Sequence, residues 1–388
     1  MTQFCPSTFA STFGGQWANP TIFNSNSSEQ MTHSGKGIKT LTSFWIDYEA
    51  TRAKALRRVE SDEILKTGPL IDGGLITKQN HAINLHDGFP NWKFKMTSNN
   101  GFECFVSWLQ TNTSYLKNID DPIVTTESAL VEIATSTLYP TLKSEYDRVR
   151  DFGSKLVLRI SNGIIYCYDI RSELEEAAKK SDLMKRFDSY ARIKFQQYAT
   201  KSTEVEALKL PKSSRPVQIK LYDMRAFHTR DKSNSDSTCN IVFMSPVDGI
   251  DTRGRRFKLK FRTERMQLGP YETLKASKWR MQSMLASNKY LIVGTAPAHV
   301  QPEKIDEIIP LEESHRAHIH DIRVIPVDFL NFMYPDFDVA QGIKNIHDFF
   351  TQVKKELTKA KEEVFIEAFR ERGEGAYSFV SRRQESLS

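Results

Sequence analysis

The residues with the clearest chemical potential are the cations of segment 209–265. This segment contains fourteen Lys or Arg and six Asp or Glu, a balance of +8, whereas the whole 388-residue chain carries a formal charge of +6. The remainder of the chain therefore sums to −2. Because phosphate groups dominate the affinity of proteins for nucleic acids, clustered cations indicate a polyanionic partner. The charge pattern thus favours binding to single- or double-stranded nucleic acid.

The centre of this segment, 255–262, alternates cations with apolar residues. Successive side chains of a strand point to opposite faces, so Phe257, Leu259 and Phe261 would share one face. The other face would hold cations ~6.6 Å apart and turned outward, close to the rise between phosphates. We also expect 240–245 to pair with this strand as a hairpin. The residues predicted to bind nucleic acid are Lys220, Arg225, Arg230, Arg255, Arg256, Lys258, Lys260, Arg262 and Arg265. The alternative is that the cations only protect an edge strand from aggregation.

A second group of residues with chemical potential is the histidine cluster His315, His318 and His320. If a strand begins at His318, that residue and His320 point to one face, a spacing that some metallonucleases use for a metal ion. No further ligand is adjacent in the sequence. We therefore predict neither a bound metal nor another cofactor, and keep these histidines as candidates only.

The sequence contains no complete catalytic motif: it has no phosphate-binding loop, no Gly-x-Ser-x-Gly elbow and no paired cysteines with metal-ligand spacing. We therefore predict a non-enzymatic nucleic-acid-binding protein that coats or packages a genome. The second hypothesis is a self-assembling structural protein, such as a viral capsid or scaffold. The third is a metal-dependent nuclease that uses the histidine cluster.

Composition divides the chain into three parts. Residues 1–36 are rich in Ser, Thr, Asn and Gly but hold five aromatic residues, which predicts a disordered or partner-docking arm and a homo-oligomer. Residues 37–375 form a single body, with a possible boundary near 209–216, and 376–388 form a mobile tail. The start of the chain has no secretory pattern, and no apolar run approaches the ~20 residues of a membrane helix. We expect an intracellular protein, cytoplasmic or nuclear, or one within a virion, without a membrane partner.

The elements that must position these residues follow from periodicity and turn signals. They predict an α+β fold: a mixed or antiparallel sheet flanked by helices, with a flexible N-terminal arm and a long C-terminal helix. Asn162-Gly163 predicts a hairpin turn, because both residues tolerate positive φ. The predicted helices cover 40–66, 126–151, 172–199, 271–286 and 340–372, and the predicted strands cover 102–109, 155–160, 164–170, 217–224, 240–245, 255–262, 290–295 and 321–327.

Overall fold

The structure is a computed structural model. It describes residues 37–47, 56–59, 69–71, 83–84, 98–145, 153–169, 183–201, 219–230, 238–262, 270–296, 318–319, 321–359, 364–371 and 373–383. The predicted arm 1–36 lies outside these residues, so its role in assembly stays a prediction. No helix among the described residues is long and apolar enough to span a membrane.

The described residues form seventeen strands and six α-helices. The strands are β1 Lys39–Asp47, β2 Leu56–Val59, β3 Leu70–Ile71, β4 Ile83–Asn84, β5 Pro122–Thr126, β6 Ser154–Ser161, β7 Ile164–Asp169, β8 Thr200–Lys201, β9 Ile219–Arg230, β10 Thr238–Pro246, β11 Gly249–Ile250, β12 Arg256–Arg262, β13 Tyr290–Thr295, β14 His318–Ile319, β15 Asp321–Pro326, β16 Val364–Arg370 and β17 Ser378–Arg383. The helices are α1 Ser98–Thr111, α2 Glu127–Thr135, α3 Leu183–Ala199, α4 Pro270–Leu285, α5 Val327–Met333 and α6 Val339–Lys359.

Two mixed sheets organise the molecule. The first has nine strands in the order β17-β16-β6-β7-β5-β10-β9-β1-β2, in which β5 runs parallel to β7 and β10. The second has six strands in the order β15-β13-β12-β11-β3-β8. The chain leaves the first sheet at Pro246 and enters the second at Gly249, so the two residues between them, Val247 and Asp248, lie at the crossing.

Helices cover both faces of each sheet. Helix α1 packs on one face of the nine-stranded sheet, and α2 and α6 pack on the other. Helix α3 covers one face of the six-stranded sheet through Ala191 and Phe195. Helix α4 contributes Met281 to the core under α2 and α6, and Trp279 to the other face of the six-stranded sheet. This helix therefore packs against both halves of the core.

The predicted fold class is confirmed: the protein is α+β, with a mixed sheet flanked by helices. The long C-terminal helix is present as α6. The predicted turn is also confirmed, because Asn162 and Gly163 have φ of 52° and 75° between the paired strands β6 and β7. These features arise from short-range signals that neighbouring strands do not override.

Several predicted elements are wrong. Residues 40–47 form strand β1 rather than a helix, because Phe44 and Ile46 pack on one face and Trp45 on the other. Residues 102–109 belong to α1. The expected hairpin of 240–245 with 255–262 is also absent, since these segments, β10 and β12, belong to different sheets. At the C-terminal end, 364–370 leave the predicted helix for strand β16, and β17 lies within the segment predicted as a mobile tail.

Candidate functional site

Strand β12 has one apolar and one cationic face, as its alternation predicts. Leu259 and Phe261 are buried against α3, while Arg256, Lys258, Lys260 and Arg262 lie on the opposite face. Most of that face is covered by α4 and the nine-stranded sheet, and only Arg256 and Lys260 are partly exposed. Lys258 is 1% exposed and Arg262 is 4% exposed. The expectation of an outward-facing row of four cations is therefore wrong.

Lys258 forms a buried ion pair with Glu127, called here the inner pair. The Lys258 Nζ lies 2.9 Å and 3.0 Å from the two carboxylate oxygens of Glu127 and also donates to the carbonyl oxygen of Pro246 at 2.8 Å. An ammonium group has three N–H donors, so these contacts occupy all of them. Ser245 donates a further hydrogen bond to Glu127. Glu127 is the first residue of α2, where the helix dipole favours negative charge.

A second buried carboxylate, Asp223 of β9, holds two arginines in place. Arg256 lies 2.5 Å from Asp223 through Nε and 3.0 Å through Nη2, and Arg225 lies 3.6 Å from the same carboxylate. Arg225 also donates to the carbonyl oxygen of Ala286 at 2.8 Å, just after α4. These two arginines therefore tie together β9, β12 and the end of α4.

The remaining predicted residues lie in three different settings. Arg262 forms an ion pair with Glu272 of α4 at 3.0 Å, and Arg255 forms one with Asp251 at 2.6 Å. Arg230 is exposed at the end of β9. Arg265 lies outside the described residues. The role of all these cations in nucleic-acid binding stays a prediction.

The two predicted cations that remain, Lys220 and Lys260, lie beside Asp248 at the crossing between the sheets. We call Lys220, Asp248 and Lys260, together with Arg192 of α3, the lysine site. Lys260 donates to the side-chain oxygen of Gln282 at 2.6 Å, and the backbone N–H of Leu259 donates to Asp248 at 3.1 Å. Unlike the inner pair, all four side chains are at least partly exposed.

Burial and neighbouring charges shift the pKa of both lysines in the lysine site. Burial lowers the pKa of Lys260 to about 8; the carboxylate of Asp248 opposes this shift, and the cations of Lys258 and Arg192 add to it. Lys220 reaches solvent, but desolvation by the surrounding protein lowers its pKa, and Asp248 again opposes the shift. The site thus combines three cations, Lys220, Lys260 and Arg192, with one carboxylate, Asp248, and has a net positive charge.

This donor set suits an anion rather than a divalent cation. Magnesium, calcium and manganese prefer several carboxylate or carbonyl oxygens. Glu127 already accepts from Lys258, Asp223 already faces two arginines, and Asp248 lies beside the cations of Lys220 and Lys260. In the part of the chain that the structure describes, no three His, Cys, Asp or Glu residues gather as metal ligands. His315 and His320 lie outside that part, so the histidine hypothesis stays a prediction.

Comparison with solved structures gives the fold a precedent. Rai1 of Scheffersomyces stipitis, in complex with 3′-NADP+ and calcium, is 11% identical, with a TM-score of 0.62 and coverage of 91% of each chain. Rai1 of Candida albicans with pU5 and Mn2+ is 12% identical over 92% of each chain, with a TM-score of 0.60. The chain has the Rai1 fold. Dxo1 of K. lactis, solved with manganese, shares this fold at 9% identity and a TM-score of 0.58, over 89% of this chain and 90% of that one. No protein-family model and no curated protein sequence matches the chain.

This precedent overturns the predicted class of function. Rai1 and Dxo1 are RNA-processing enzymes, so the prediction of a non-enzymatic coat or packaging protein is wrong. The capsid, viral and structural assignments are wrong for the same reason. The prediction treated a missing local motif as evidence against an enzyme, although a catalytic site can be assembled from residues far apart in sequence.

Four residues of the site were not singled out from the sequence: Glu127, Asp248, Arg192 and Gln282. One signal was available for Glu127: it and Glu132 are the only charged residues in the stretch 122–135, which is otherwise apolar or weakly polar, and a buried charge requires a partner. Nothing local marked Asp248, Arg192 or Gln282. Their importance depends on the crossing between the sheets and on the packing of α3 and α4, which are tertiary features.

Proposed function

We propose that the protein is an RNA-processing enzyme that binds a phosphate of an RNA or nucleotide at the lysine site and hydrolyses a phosphate bond there. The observation that carries the proposal is the Rai1 fold over about nine-tenths of the chain, combined with a net positive site at the crossing of its two sheets. Solved structures with this fold hold 3′-NADP+, pU5 or 3′-FADP, all of which carry phosphate. Such a role fits a location in the cytoplasm or the nucleus, and assembly through the arm 1–36 remains part of the proposal.

The side chains of the lysine site fit each step of a hydrolysis. The ammonium groups of Lys220 and Lys260 would stabilise the negative charge on the phosphate oxygens in the transition state. Asp248 would accept a proton from the attacking water as its oxygen bonds to phosphorus. Because its pKa is about 8, Lys260 is mostly protonated at neutral pH and could donate a proton to the leaving oxygen as the old P–O bond breaks.

The test is an assay of the purified full-length chain with pU5 and 3′-NADP+, and with U5 that lacks the 5′-phosphate. Products are separated by mass spectrometry after incubation in EDTA, Mg2+ or Mn2+. We expect a shortened or dephosphorylated product, lost in both Lys260→Gln and Asp248→Asn. Lys344→Gln is the matched control, because it removes the same charge from an exposed position on α6.

Two results would reject the proposal. One is the absence of any product together with the absence of binding to both phosphorylated ligands. The other is activity that survives in both lysine-site variants but is lost in His318→Ala. The second result would move the chemistry to the histidine cluster.

A further inference from the structure

We infer that the lysine site binds the phosphate group directly on its own cations, with no divalent metal ion between protein and phosphate. This inference rests on the proposed function and deepens it, since it names the anion as the ligand and side chains as the source of positive charge. It also separates this chain from the solved structures of the same fold that were determined with calcium or manganese.

The first argument concerns Glu127, a buried carboxylate whose charge acts on Lys260. Both oxygens of Glu127 lie within 3.0 Å of the ammonium group of Lys258, and Ser245 also donates to Glu127. A divalent cation at Glu127 would have to displace an ammonium group whose three donors are all occupied. The displaced charge would stay in the interior, since Lys258 is 1% exposed, and burying an unpaired charge is strongly unfavourable.

The second argument concerns Asp248. One of its oxygens accepts the backbone N–H of Leu259, and the cations of Lys220 and Lys260 face the same carboxylate. A divalent cation held there would have one protein carboxylate and the two positive charges of Lys220 and Lys260 beside it. Because like charges repel, this arrangement opposes the binding of a metal ion.

The third argument is the fit to phosphate. Lys260 directs one N–H group to Gln282, which fixes the position of its ammonium group and leaves its other N–H groups for an anion. Lys220 and Arg192 extend the site toward solvent, because both side chains are exposed. A phosphate with two negative charges would balance the excess positive charge that Asp248 alone does not balance. Lysine binds phosphate as a point charge, without a demand for planar geometry.

The experiment is isothermal titration calorimetry of the full-length protein with pU5, first in EDTA and then in buffer containing Mn2+. A separate titration uses MnCl2 alone. We expect dissociation constants that agree within about twofold in the two buffers, and no stoichiometric binding of Mn2+ by itself. Lys260→Gln should weaken pU5 binding about tenfold or more in both buffers. Lys344→Gln should leave it unchanged, and U5 without the 5′-phosphate should bind more weakly.

The variant Asp248→Asn distinguishes direct phosphate binding by the lysines from binding through a metal ion, because the two alternatives predict opposite changes in pU5 affinity. Asparagine keeps an oxygen that can accept from Leu259 but removes the negative charge. If the phosphate contacts the lysines directly, this variant should bind pU5 more tightly than the wild type. If Asp248 holds a metal ion that in turn binds phosphate, the variant should bind more weakly.

Three outcomes would overturn the inference. Stoichiometric binding of Mn2+ alone, or a tenfold gain in pU5 affinity on adding Mn2+, would overturn it and leave the proposed function intact. Weaker binding by Asp248→Asn would do the same. Failure of the wild-type protein to bind pU5 and 3′-NADP+ in every buffer would overturn the inference and the proposed function together.

Discussion

Glu127 and Lys258 are each almost completely removed from water, and each neutralises the other. The net effect of such a pair on stability is small, because the loss of hydration offsets the attraction between the charges. Loss of one partner is different, since the survivor keeps its charge in the interior. The inner pair thus contributes mainly by fixing the position of α2 against β12, directly beside the lysine site.

The first prediction concerns Glu127→Gln. We expect the free energy of unfolding to fall by about 3–5 kcal/mol, because Lys258 would remain charged without a counter-ion. Urea denaturation followed by circular dichroism measures the change. The double variant Glu127→Leu/Lys258→Met is the control and should be substantially more stable than the single variant. Equal stability of wild type and Glu127→Gln would show that the pair is open to water.

This prediction reverses an expectation from the sequence alone. Charge reversal at Lys258 would be harmless if its side chain pointed outward. Its burial beside Glu127 makes the same change costly for folding. A loss of nucleic-acid binding in such a variant would therefore report unfolding rather than a lost phosphate contact.

The second prediction concerns the protonation of Lys260, whose pKa falls from its ordinary value of 10.5 to about 8 in the folded protein because the side chain is desolvated by burial. The titratable and charged groups around it are Asp248, Lys258, Glu127 and Arg192. Between pH 8 and pH 10.5 the unfolded chain binds more protons than the folded chain, so Lys260 makes stability rise with pH in this window. Phosphate affinity should fall over the same window, because the ammonium charge is lost.

Two measurements check this opposite behaviour. Urea denaturation from pH 7 to pH 10 should show that the stability of the wild type rises relative to that of Lys260→Gln, in which this titration is absent. The pU5 affinity of the wild type should weaken as the pH passes 8, whereas Lys260→Arg, which keeps its charge, should hold its affinity. If stability and pU5 affinity changed with pH in the same way in the wild type and in both variants, the lowered pKa would not belong to Lys260.

At the scale of elements, the close packing of α3 against β13 positions Arg192. A Cβ atom placed on Gly294 would lie 2.7–2.9 Å from the ring of Phe195. Both residues belong to the helix–strand interface of the six-stranded sheet, so no side chain larger than hydrogen fits without movement of the ring.

The third prediction follows from this contact. Gly294→Ala should lower the free energy of unfolding by about 1–3 kcal/mol, because the ring of Phe195 must shift. The double variant Gly294→Ala/Phe195→Leu should recover part of this loss. Gly37→Ala is the matched control, since nothing lies within 4 Å of its added Cβ, and it should change stability by less than about 0.5 kcal/mol. Thermal denaturation of the wild type and the three variants measures these differences. Unchanged stability of Gly294→Ala would show that Phe195 of α3 does not pack tightly against Gly294.

Some secondary-structure elements could be predicted from the sequence alone, and others could not. The hairpin at Asn162-Gly163, strand β13 and helix α4 were predicted within a few residues, because short-range patterns specify them. Strand β1 was not predicted, because it is buried on both faces and therefore lacks a period of two. The site was missed for a related reason: Glu127 and Lys258 are 131 residues apart, and no local pattern links them.

At the scale of the whole molecule, α4 makes the two sheets depend on each other. Its Met281 and Leu285 belong to the core of the nine-stranded sheet, while its Ala276 and Trp279 belong to a cluster on the six-stranded sheet. Separation of the sheets would expose both sets of contacts. We therefore expect the described body to unfold as one cooperative unit.

The fourth prediction uses two variants that each keep one of the five tryptophans, with phenylalanine in place of the other four. Trp108 of α1 stacks near Phe44 and reports on the nine-stranded sheet, whereas Trp279 reports on the six-stranded sheet. The stability of the two variants will differ, so each fluorescence transition is compared with far-UV circular dichroism of the same variant. We expect the two signals to coincide in both variants. A fluorescence transition that precedes the circular-dichroism transition in one of them would show that the sheets unfold separately.

The inner pair also restricts how this protein can change over evolutionary time. A substitution of Glu127 alone or Lys258 alone passes through a form with an unpaired buried charge, which selection for a folded protein would remove. The two positions are therefore expected to change together, either by an exchange of charges or by joint replacement with apolar residues. In a set of homologous sequences, the two alignment columns would covary more strongly than neighbouring columns, even though α2 and β12 are far apart along the chain.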